Sequence, residues 1–80
     1  MTLITASGAT PRLYEVVACL GGEGANYTAT GRFVWDNVNL VRTGGDNAAN
    51  MTLTASGANI QATQTSGISK TIFYAVNITG

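Results

Sequence analysis

Nowhere in these 80 residues do apolar side chains hold a helical period for three turns; they alternate instead. Period-two alternation sends successive side chains to opposite faces of an extended chain, which commits the chain to strands. The plainest case is the C-terminal run, where Ile68, Ile72, Tyr74, Val76 and Ile78 share a face with Lys70. Ser69, Thr71, Phe73, Ala75, Asn77 and Thr79 take the other face, which predicts a long, half-buried strand. In RLYEVVACL, Leu13, Val17 and Cys19 fall on one face and Tyr14, Val16, Ala18 and Leu20 on the other. Two apolar faces predict a central strand.

Further strands fit NYTAT, MTLTA and NIQATQT, because the branched Cβ of threonine suits a pleated surface. RFVWDNVNLVR changes phase at Asp36-Asn37: Phe33 and Trp35 are odd-numbered, Val38 and Leu40 even-numbered. A bulge is expected there rather than a hairpin, since a hairpin would leave two very short arms. Turn signals recur at Ser7-Gly8, Gly21-Gly22, Gly44-Gly45, Ser56-Gly57 and Ser66-Gly67, with residues 43–50 expected to form the longest exposed connection. The fold class that follows is all-β. Residues 1–80 are expected to form one small antiparallel sandwich or barrel of about six or seven short strands.

One segment occurs twice, as MTLITASGA from Met1 and MTLTASGA from Met51. The flanks do not align, TPRLYEVV following one copy and NIQATQTS the other, so the match does not indicate two duplicated halves. Ile4 is the extra residue of the first copy. In unbroken register it would send the T-A-S-G-A that follows to the opposite face from its counterpart. Either a bulge at Leu3-Ile4 absorbs it or the two copies pair differently. Residues 1–8 are read as an edge strand or an arm reaching a neighbouring subunit.

Composition narrows the function. Leu, Ile, Val and Phe total 18, while Gly, Ala, Thr, Ser and Asn make up 44 of the 80 residues, so the core must be thin. Four basic and four acidic residues give 10% charged and no net charge. Freely soluble small domains usually carry about 25–35% charged residues on their surface, and a chain this neutral is barely repelled by its own copies. Arg12, Arg32, Arg42 and Lys70 are scattered among Glu15, Glu23, Asp36 and Asp46, which argues against nucleic acid or an anionic membrane as partner. No apolar run approaches a membrane span, and the Met1 end lacks the basic and apolar regions of a signal peptide. Cys19, the single cysteine, is expected as a buried structural thiol.

Catalysis needs a proton carrier or nucleophile with a partner, and here there are no His, one Cys, one Lys and four scattered carboxylates. An enzyme is not expected, nor a cofactor. Asp46-Asn47 lacks the spaced acidic pattern of a calcium loop, and GGEG lacks the Lys and Ser or Thr of a phosphate loop. Glycan-acceptor patterns at Asn26, Asn50 and Asn77 and Thr-x-Thr pairs at Thr28, Thr52 and Thr63 follow from so many Asn and Thr residues. The expected function is that of a non-enzymatic structural protein in a homo-oligomer or large assembly. Its expected partners are its own copies and a larger protein lattice such as a capsid shell, in the manner of a phage capsid decoration or cement protein located in the virion. The alternative is an extracellular filament subunit or a glycan-binding β module. Trp35, Arg32, Leu3 and Ile4 are the interface candidates: Trp35 as an aromatic platform, Arg32 beside it, and Leu3 and Ile4 in the recurring segment.

Overall fold

A computed structural model describes all 80 residues. Seven strands run in chain order: β1 (Thr2–Thr5), β2 (Arg12–Leu20), β3 (Thr28–Trp35), β4 (Leu40–Gly44), β5 (Met51–Ser56), β6 (Asn59–Gln64) and β7 (Ile72–Thr79). A single 3-10 turn, Ala25–Tyr27, precedes β3. All pairing is antiparallel, in a three-stranded sheet ordered β1-β6-β5 and a four-stranded sheet ordered β4-β3-β2-β7.

The two sheets sandwich an apolar core in which Tyr14 and Phe33 are the largest buried side chains. Tyr14, Val16, Ala18 and Leu20 of β2, Ala29 and Phe33 of β3, and Leu40 of β4 face Leu3, Met51, Leu53, Ile60 and Ala62 from the other sheet. β2 occupies the central place that its two apolar faces predict, flanked by β3 and β7. Only its even-numbered face enters the core; Leu13 and Val17 turn outward and are exposed. Cys19 shares that outward face and is half-buried, which corrects the expectation of a core thiol.

Asp36-Asn37 begins a hairpin turn, not a bulge. Asp36 N–H donates to the Asn39 carbonyl, and the Asp36 carboxylate accepts from the Val38 and Asn39 amides. Asn37 takes the left-handed conformation, φ 86°, which Asn tolerates better than most residues. The paired arms are as short as a hairpin there requires, Arg32–Trp35 against Leu40–Gly44, but RFVW is the end of an eight-residue strand that β2 holds along its whole length. That hairpin does carry a bulge, one step further on: Arg32 pairs with Gly44 and Phe33 with Arg42, so Thr43 is the unpaired extra residue.

Residues 43–50 do not form the longest connection either. β4 extends to Gly44, which leaves residues 45–50 as the link, shorter than residues 21–27 and 65–71. This link runs hard against β3. Gly45 has φ 93°, and a Cβ there would lie 2.6 Å from the Gly31 Cα, so only glycine fits both the backbone conformation and the close approach.

The C-terminal strand departs most from expectation. β7 spans Ile72–Thr79 and is an edge strand with neither face well covered; Ile72, Val76 and no others are half-buried. The three-stranded sheet does not reach under it. Tyr74 and Ile78 point inward, opposite the buried Ala18 and Tyr14, yet each stays 45% exposed.

Candidate functional site

The residues that could meet a partner lie on the outward face of the four-stranded sheet. Pairing places Leu13, Glu15, Val17 and Cys19 of β2 there, with Thr30, Arg32 and Val34 of β3, Val41 of β4, and Phe73, Ala75 and Asn77 of β7. Leu13, Val17, Val41 and Phe73 are exposed, Phe73 at 61%. A strand of a two-layer sandwich has one inner face, so the second apolar face of β2 was bound to end outside unless a third layer covered it.

Near the middle of this face the small side chains of Thr30 and Ala75 leave a shallow depression of about 480 Å³ between Val17, Arg32 and Asn77. Glu15 and Arg32 sit opposite each other on its rim, across the β2–β3 pair. A smaller hollow on the same face is lined by Val17, Cys19, Phe73, Tyr74 and Ala75, all apolar. The floor is backbone and methyl groups, which can exclude water from a flat contact but supply no proton carrier. No three His, Cys, Asp or Glu side chains converge anywhere in the fold.

The four interface candidates are not brought together. Arg32 lies on the outward face, exposed. Trp35 is on the opposite side of β3, half-buried against the core, and its indole N–H donates to the Gly8 carbonyl at 3.1 Å. That bond uses the one polar atom of the ring to hold the segment between β1 and β2. Leu3 and Ile4 also turn inward, Leu3 buried and Ile4 packed against the core. Both belong to β1, whose register with β6 shifts between Thr2 and Ile4. The bulge therefore sits where the extra residue of the first copy had to be absorbed.

Its effect is to restore the faces. Leu3 and Ile4 share the inner side, after which Thr5 turns out and Ala6 turns in, buried. In β5, Leu53 is inward, Thr54 outward and Ala55 on the inward side opposite Ile60. The two copies flank the same strand, β6, and run parallel to each other on either side of it. Residues 1–8 thus pair within their own chain. The terminal amine is anchored as well, donating to the Ala62 carbonyl at 3.0 Å.

Sequence reasoning missed Arg42. Its side chain enters the seam between β4 and β5 and donates to the Gly44, Leu53 and Thr30 carbonyls and to Asn47 Oδ1, at 2.6–3.2 Å. The guanidinium lies 5.8 Å from the centre of the Phe33 ring, within cation–π range. Asn47 Oδ1 also accepts from the Leu53 amide at 3.0 Å. Both main-chain groups of Leu53 are thereby satisfied by side chains along what would otherwise be a free strand edge. The available signal was an Arg on the inner alternation phase of β4, in step with Leu40.

Asp36, at the β3–β4 turn, has its carboxyl held below the ordinary value of 3.8 by the Asn39 and Val38 amides. It is fully exposed and serves the turn. The one ion pair, Lys70 with Glu23 at 2.6 Å, ties the connection before β7 to the one after β2. Comparison with known protein families, curated proteins and solved structures finds no match to this chain.

Proposed function

We propose that this chain is a non-enzymatic structural subunit whose working state is a homo-oligomer or a larger protein assembly. Within that class the favoured reading is a small virion component, a capsid decoration or cement protein bound to its shell. The observation that carries the assembly reading is the outward face of the four-stranded sheet, where Leu13 and Val41 form one exposed apolar patch with Val34, and Val17 and Phe73 a second with Cys19 and Ala75, on either side of the Glu15–Arg32 pair. Exposed apolar patches rimmed by polar residues mark a place where another macromolecule belongs. The absence of net charge supports the same reading: the two charged residues at the centre of this face, Glu15 and Arg32, are of opposite sign and lie across from each other, and a neutral chain meets little repulsion between copies. The virion assignment rests on type: a short, neutral, small-residue β chain suits repetitive lattices, where many thin contacts add up.

Mass in solution tests the assembly reading. Sedimentation of the wild-type chain is expected to give species heavier than 8.2 kDa. Val17→Glu, which places a carboxylate on the outward face without touching the core, is expected to weaken higher-order association while the strand signal in circular dichroism persists. A wild-type chain that stays monomeric at every concentration, and whose Trp35 fluorescence responds to added saccharide, would overturn the reading in favour of a glycan-binding module.

A further inference from the structure

A two-sheet sandwich has four strand edges, and each exposes a row of unpaired amides and carbonyls unless something blunts it. Three are blunted here. β1 has four residues and a bulge. β4 has five residues and carries the Thr43 bulge. β5 is sealed by Arg42 and Asn47. The fourth edge, β7, has none of these devices. Its eight residues pair with β2 in unbroken register from Leu13–Thr79 to Leu20–Ile72, and it contains no proline, glycine or charged side chain.

We infer that the free edge of β7 is the site at which a second copy of this chain binds, by antiparallel pairing of β7 with β7 across a two-fold axis perpendicular to the sheet. The inference rests on the reading of the chain as an assembling subunit and names the surface through which it assembles with itself. Three observations select a second copy as the occupant. β7 is neutral along its whole length, so apposing two identical strands brings no like charges together. A two-fold axis of this kind preserves which face of the sheet is inward, so the inward side chains of both strands meet on one side of the seam. Tyr74 and Ile78 are those side chains; they overhang the three-stranded sheet and are each 45% exposed. A second copy brings its own Tyr74 and Ile78 into the same gap, so one contact pairs the edge and covers the overhang. The two four-stranded sheets then become one sheet of eight, and the apolar band of Val17, Phe73 and Ala75 runs continuously across it.

The size of the edge sets the strength. Eight residues span about 27 Å on a body whose smallest extent is 16 Å. That footprint, about 430 Å², lies below the roughly 600 Å² per partner at which stable specific interfaces begin, so a weak dimer populated only at high concentration is expected.

The test is sedimentation equilibrium of the full chain across a wide concentration range, with amide hydrogen exchange of β7 followed in parallel. The wild type is expected to shift from monomer to dimer, and the β7 amides to become protected as concentration rises. Tyr74→Lys and Ile78→Lys, checked for retained fold by circular dichroism, are expected to raise the dissociation constant at least tenfold, while Val38→Lys in the distant β3–β4 turn leaves it unchanged. Self-association that persists in both lysine variants, with β7 exchange in the wild type independent of concentration, would overturn this inference and leave the assembly reading standing. A wild type that remains monomeric throughout would overturn both the inference and self-assembly.

Discussion

The sandwich has two long sides, and each carries one copy of the recurring segment. On one side β5, the second copy, packs closely against β3 and β4. Arg42, Asn47 and the tight passage of Gly45 bolt the two sheets together there. On the other side β1, the first copy, and β7 make no comparable approach, and β7 is left with an open edge. Nearly the same letters therefore serve a sealed seam and an open one. A strand segment specifies its own alternation, but the neighbours that the chain brings to it decide whether its edge is closed.

The two leucines give the sharpest break of this comparison. Leu53 is fully buried at the closed seam, and Leu3 retains 8% exposure in the bulge of the open one. Leu53→Ala is expected to cost about 3–5 kcal/mol, and Leu3→Ala about 2 kcal/mol, because a cavity in a bulged edge strand collapses more readily. Against a total stability of about 4–12 kcal/mol for a chain of this length, the first change removes a third or more of the stability in the middle of that range and the second about a quarter. Chemical denaturation of both variants measures the gap; equal losses would show that the two seams are equally rigid.

Arg42→Met tests what closes the seam. It retains most of the aliphatic stem and removes the donors to three carbonyls and to Asn47, with an expected loss of about 2–3 kcal/mol. Amide exchange at Leu53 is expected to accelerate while exchange in β1 does not. A uniform change in both would mean that the guanidinium supports the whole fold rather than this edge.

Deleting Ile4 makes the two copies identical in letters and removes the bulge. Without it, Leu3 takes the place opposite Ile60 and the T-A-S-G-A that follows keeps its faces in unbroken register, as in β5, so the expected cost is the lost burial of the half-buried Ile4 side chain, about 1 kcal/mol. Amide exchange of the deletion variant is expected to show β1 still protected. Protection lost throughout β1 would show that the bulge itself is needed to seat the strand against β6.

Much of the fold is legible in the residues. β2, β5 and β6 match their alternating segments almost to the residue, because side-chain alternation is a local property and survives whatever the strand packs against. The consequence of Ile4 is legible for the same reason. Asp36-Asn37 is ambiguous in the letters because a bulge and a hairpin both change the phase of the pattern. The choice depends on β2, which pairs with all eight residues of β3 and so holds the short RFVW arm in place for β4 to pair with. The outward apolar face is half legible: β2 advertises two apolar sides, but not which of them the other sheet covers.

The residues alone determined an all-β chain, its principal strands and turns, a bulge or altered pairing in the first copy, and a surface almost free of charge. Only the tertiary structure decided that both copies flank β6, that Arg42 closes one seam, and that β7 is the edge left open. The reason is physical: alternation and turn chemistry act over a few neighbouring residues, whereas an edge is free or sealed according to groups distant in the chain. Arg42 and Leu53 are eleven residues apart, and β2 and β7, which meet all along their length, are separated by most of the molecule.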